Sequence, residues 1–188
     1  MKRLFGLVLL GLLALAPPVE AATTGGLAAT VRITETGSQD LGTPTMIHVL
    51  EYAKDLTSGT AANTADKVFS DERAVASGTP DDLDLIGSLN PAVGQGVLNL
   101  TKPVALIIWN ESTTTGQYLT IGNEGTNPCF SGLFGGSTQT ITVQPNGLPI
   151  WYSPIDAAAC TAGTADKLRI TSATGSVTYR IIIWARSS

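Results

Sequence analysis

Residues 102–122 read KPVALIIWNESTTTGQYLTIG. Val104 to Trp109 is an unbroken apolar run that includes the β-branched Val104, Ile107 and Ile108 and the aromatic Trp109. A run of that length and composition predicts a strand buried on both faces. Asn110 to Gln117 is polar and contains Gly116, and Tyr118, Leu119 and Ile121 then restore apolar character. The stretch reads as strand, short loop, strand. We take it as a central hairpin that the downstream segments pair with and cover.

Upstream of it, Thr30 to Thr34 alternates, with Val31 and Ile33 on one face, which predicts a half-buried strand. Thr45 to Tyr52 places Met46, His48, Leu50 and Tyr52 on one face and Ile47, Val49 and Glu51 on the other. Asp81 to Leu89 alternates with Leu83 and Leu85 inward and Asp82 and Asp84 outward, and Asn90 to Gly96 is a turn around Pro91, Gly94 and Gly96. Val97 to Leu100 reads as a short strand leading into the hairpin.

Downstream, Asn123 to Ser137 is a Gly-rich loop whose Phe130 and Phe134 are expected to tuck over the core, or else to form a contact surface. Thr138 to Gln144 alternates with Ile141 and Val143 inward. Pro145-Asn146-Gly147 is a turn, and Leu148 to Tyr152 is a short strand carrying Trp151. Leu168 and Ile170 point inward on the next strand, and Val177, Tyr179, Ile181 and Ile183 share one face of the last. Thr64-Ala65-Asp66-Lys67-Val68 is echoed by Thr164-Ala165-Asp166-Lys167-Leu168. Both precede a strand, and both read as turns in which the Asp bonds nearby backbone amides. The count is about eight to ten short strands with no amphipathic helix, an all-β, antiparallel, jelly-roll-like β-sandwich.

The chain has 188 residues, room for one domain of this kind. Hydrophobic residues make up 43% and charged residues only 14%, with a net charge of -4. A sparse charge complement suits a protein packed against copies of itself. An acidic balance without basic patches argues against a nucleic-acid partner.

Residues 1–22, MKRLFGLVLLGLLALAPPVEAA, carry Lys2 and Arg3, then an apolar run to Ala16, then Pro17 and Pro18, with small residues at Val19 and Ala21. That is the pattern of a secretory signal peptide, or of an N-terminal hydrophobic helix if it is retained. The run is too short to leave a stable membrane span in the mature chain. Residues 23–29 are small and Gly-rich and read as a flexible arm, leaving 30–188 as a single β-sandwich domain. In an exported protein Cys129 and Cys160, the two cysteines, would form one disulfide; in a reducing cytoplasm they would be separate thiols.

No catalytic, cofactor-binding or metal-ligating set can be named. His48 is the one histidine and sits in mid-strand, where core or interface packing is the simpler reading. No G-x-S-x-G elbow surrounds any serine, and Gly94-Gln95-Gly96 lacks the third glycine of a dinucleotide site. Asp81, Asp82 and Asp84, with Asp71 and Glu72 nearby, are the densest acids, and they read as the wet face of a strand. Trp109, Trp151 and Trp184 could line a sugar-binding face, but each lies in or beside an apolar strand. Asn99 and Asn110 head glycosylation triplets.

The order ADKVFSDERAVASGTPDDLDLIGSL, then KPVALIIWNESTTTGQYLTIG, then AGTADKLRIT and VTYRIIIWA resembles small β-sandwich structural proteins of tailed-phage virions, over about the last two-thirds of the chain. The resemblance implies a capsid-decorating, head-fibre or tail-associated subunit located in the virion. It would assemble with itself or with other virion proteins and has no catalytic residues to transfer. The signal-like segment, the cysteine pair and the three tryptophans support a different expectation, a secreted or periplasmic binding module, with glycans as the candidate ligand.

Overall fold

A computed structural model describes residues 23–38, 42–90 and 97–188. The signal-like segment 1–22 lies outside these residues, as does most of the turn expected over Asn90 to Gly96.

The described residues form ten strands: β1 (Gly25–Thr36), β2 (Thr45–Leu56), β3 (Lys67–Val75), β4 (Asp81–Asp84), β5 (Lys102–Asn110), β6 (Leu119–Asn123), β7 (Thr140–Val143), β8 (Ile150–Tyr152), β9 (Lys167–Ser172) and β10 (Val177–Arg186). The one helix among the described residues, α1 (Ser131–Phe134), is a single turn. Strands β3 to β10 make two four-stranded sheets, ordered β3-β10-β5-β8 and β4-β9-β6-β7, and every pairing within them is antiparallel. The chain moves from one sheet to the other at nearly every connection, which is the double Greek key of a jelly roll. The expected all-β sandwich is therefore the fold.

Period-two patterning fixes which side of each strand faces the interior. On β10, Val177, Tyr179, Ile181, Ile183 and Ala185 point inward, and on β9 Leu168, Ile170 and Ser172 do so. They meet Leu106 and Ile108 of β5 and Leu119 and Ile121 of β6 in one continuous core. Each fully buried Leu or Ile contributes roughly 1.5–3 kcal/mol. Phe130, just before α1, and Phe134, at its end, read from sequence as a tucked cover, are buried, and Phe130 stands edge-on to Trp151 with ring centroids 5.9 Å apart.

The expected central hairpin is corrected. β5 pairs with β10 and β8, and β6 pairs with β7 and β9, so the two strands lie in different sheets. Residues 111–118 form a crossover and not a tight turn. Asn110 explains why: it is fully buried and its side-chain amide donates to the carbonyls of Gln117 (3.0 Å) and Val143 (3.1 Å). Those bonds fold the connection back over the end of the sandwich. Burial of β5 on both faces holds near Val104, because a second small cluster of Leu56, Ala65 and Val104 covers the outer face of its sheet.

The N-terminal strands depart furthest from expectation. β1 and β2 pair only with each other, in register from Gly25↔Leu56 to Thr36↔Thr45, as a two-stranded ribbon. Residues 25–29, read as a flexible arm, are the start of that ribbon. Val31 and Ile33, expected to be half-buried, are exposed. Alternation predicts that one face is apolar but not that anything lies against it.

Candidate interaction surface

The polar groups of the sandwich are mostly engaged with one another. Asp81 starts β4 and shares the inward face with Leu83, so its carboxylate points between the sheets. It accepts a bidentate pair from Arg73 of β3 (Nε 2.7 Å, Nη2 2.8 Å) and the hydroxyl of Tyr179 of β10 at 2.7 Å. The two sheets are clasped at this end. Burial alone would raise the pKa of Asp81, but the hydrogen bonds from Arg73 and Tyr179 outweigh it and the net shift is downward. Burial, reinforced by the neighbouring carboxylate, pushes the Tyr179 hydroxyl well above its ordinary value. The hydrogen bond to Asp81 does most to hold Arg73 charged.

The remaining acids that looked like a cluster are spread over separate pairs. Asp82 takes Arg169 at 2.6 Å, Asp71 takes Arg73 at 3.0 Å, Glu72 takes Arg180 at 3.0 Å, and Asp84 caps its own turn at the Ile86 amide. Among the described residues no three His, Cys, Asp or Glu side chains are grouped to hold a metal ion. The repeated Asp splits in role: Asp166 receives the amide of Gly163, local turn chemistry as expected, whereas Asp66 receives the backbone amide of Ser187 at 2.8 Å and ties the end of the chain to the start of β3.

Trp109 and Trp184 project from the outer face of one sheet, and Arg180 lies over the Trp109 ring at 5.6 Å. Trp151 points the other way, into the core beside Leu106. The three tryptophans do not form a common platform. A cleft of 540 Å³ beside the disulfide is lined by Leu133, Trp151, Ser153 and Asp156, and a smaller apolar cavity of 180 Å³ lies between Ile108, Ile121, Ile141 and Pro149. Cys129 and Cys160 are bonded, with Cα atoms 4.8 Å apart and a separation of 31 in sequence. Asn110 is buried, so a glycan there is incompatible with the folded sandwich, whereas Asn99 is exposed.

The ribbon differs from all of this. Antiparallel register puts Leu27, Ala29, Val31, Ile33 and Glu35 on one face with Lys54, Tyr52, Leu50, His48 and Met46. Near its root this face rests on the sandwich. Leu56 is buried, Tyr52 meets Tyr152 edge-on at 5.9 Å, and Gly25 is needed because a side chain there would stand 2.8 Å from the Trp184 ring. The Tyr152 hydroxyl is buried at this junction with no hydrogen-bond partner among the described residues, and burial, then Tyr52 and Asp55, raise its pKa.

Beyond the root the same face is open. Val31 (51%), Ile33 (54%), Met46 (59%) and Leu50 (69%) are exposed. His48 is exposed too, 3.7 Å from Glu35, and is not a core residue. Sequence reasoning missed this surface, although a signal was present: apolar residues occupy adjacent positions in Met46-Ile47 and Val49-Leu50. Comparison with protein-family models, with curated proteins and with solved structures finds no match to this chain.

Proposed function

We propose that this chain is a non-enzymatic structural subunit, a surface protein of a virion (capsid- or tail-associated), that works through self-assembly and protein–protein contacts. The observation that carries the reading is the open apolar half of the ribbon, held out from a sandwich whose own polar groups are largely satisfied within the chain. Exposed contiguous apolar surface on a folded protein marks a contact site. The jelly roll fits the reading without deciding it, because the same architecture serves viral capsid and lectin domains. The test is fractionation of particles on a density gradient with peptide mass spectrometry of each fraction. The protein should follow intact particles at constant ratio to their major component. Its appearance only in particle-free fractions would refute the reading.

The disulfide favours a second reading, an exported binding module with glycans as the candidate ligand. That reading requires a mature N-terminus near Ala22. Intact Met1 in the native protein would remove it.

A further inference from the structure

The ribbon's apolar face is one surface in two halves. The root half is covered by the chain's own sandwich, at Tyr152, Trp184 and the cluster around Leu56. The outer half continues in the same register with Val31, Ile33, Met46 and Leu50 and is left open by the described residues. A two-stranded ribbon is at best marginally stable in water, and three or more strands or a packed face are needed to hold one. We infer that the outer half is covered by a second copy of this chain, ribbon against ribbon. The inference deepens the assembly reading above, and rests on it, by naming the partner.

Area, charge and sterics favour a copy of the chain. Half or more of each of Val31, Ile33, Met46 and Leu50 is exposed, so pairing two copies buries roughly 800 Å² of mostly apolar surface, the size of a weak, reversible interface. The ionisable groups of the open half are Glu35 and His48, and they already lie beside each other within one chain. Arg32 and Glu51 project from the opposite face, so neither has to be desolvated. Each root is occupied by its own sandwich, so the open halves meet when two ribbons stack antiparallel, tip toward the partner's root. That arrangement closes as a two-fold dimer and leaves no repeating end. Sheets packed in this way sit about 10 Å apart, with the facing side chains interleaved.

The experiment is sedimentation of the full chain over a range of concentrations, for the wild type, Leu50→Lys, Met46→Lys and Val49→Lys. Leu50 and Met46 lie on the open apolar face and Val49 on the other. The wild type should dimerise at micromolar concentration. Leu50→Lys and Met46→Lys should each weaken the dimer by about tenfold or more, and Val49→Lys should leave it within about twofold. Residues 1–22 are identical in all four proteins, so association through them would ignore the substitutions. Thermal melts reporting the sandwich should coincide, which separates lost pairing from lost folding.

A wild type that stays monomeric at about 100 μM, or equal loss from Val49→Lys and Leu50→Lys, would overturn the inference. A dimer broken by Leu50→Lys in a protein absent from particles would leave the inference standing and remove the virion reading. Particle association by a chain indifferent to Leu50→Lys would do the reverse.

Discussion

Replacing Asp81 with Ala tests whether the clasp between the sheets is a major source of stability. The change removes the acceptor of three hydrogen bonds, two from Arg73 and one from Tyr179, which lies 98 positions away in sequence. Breaking a buried ion pair by removing one partner costs about 3–5 kcal/mol. Arg73 retains Asp71 and its side chain is 30% exposed, so water and a second carboxylate recover part of that. Tyr179 has no such relief: it is fully buried, and a hydroxyl left there unpaired costs about 1–3 kcal/mol. The expected loss for Asp81→Ala is about 3 kcal/mol, read by urea unfolding with tryptophan fluorescence. Tyr179→Phe should cost about 1–2 kcal/mol, since it removes the donor and leaves no orphan on the tyrosine side. The double variant should then cost less than the sum, with a coupling of about 1–2 kcal/mol. Additive losses, or an Asp81→Ala protein within about 0.5 kcal/mol of wild type, would refute the clasp.

The same groups set a pH dependence. Asp81 has a lowered folded pKa, so its contribution is present above its ordinary value of 3.8 and is lost as pH falls toward the folded value. Tyr179 has a raised one, so its contribution is full below 10.0 and drains away as pH climbs above it. Unfolding midpoints across pH should fall off at both ends, and Tyr179→Phe should abolish the alkaline part attributable to this hydroxyl. Reducing Cys129–Cys160 opens a loop of 31 residues and should cost about 3–4 kcal/mol, visible as a lower urea midpoint in a reductant. Asn110→Ala strands the buried carbonyl of Val143 and frees the half-buried one of Gln117, with an expected loss of about 1–3 kcal/mol by the same assay. Folded protein from a eukaryotic secretory host should carry glycan at Asn99 and not at Asn110, whose buried amide a glycan would displace, by peptide mass mapping.

The sandwich was legible in sequence where a strand buries one face. On β9 and β10 the inward residues are those that the alternation selects, and the turns between strands carry Gly, Pro or Asn as expected. Pairing was not legible. In residues 102–122 both strands were readable, but the choice of neighbours depends on β10, about seventy residues later, inserting between β3 and β5, and on the buried side chain of Asn110. Local pattern carries no information about such distant partners.

The candidate surface was hidden for a related reason. Val31, Ile33 and Leu50 have the alternation of core residues, and a sequence does not say whether the facing layer belongs to the same chain. Asp81 shows the limit from the polar side. It was grouped with its neighbours as a wet acidic edge, yet one step of strand phase turns it inward onto Tyr179 while Asp82 faces solvent and Arg169.

Hydrogen–deuterium exchange, read strand by strand at low and high protein concentration, tests most directly the picture of a closed sandwich bearing an open ribbon. The amides of β10, bonded on both sides, should exchange slowly at every concentration, and those of β1 and β2 rapidly when dilute and slowly when concentrated. Ribbon exchange that ignores concentration, or β10 amides that exchange as fast as the ribbon, would contradict it.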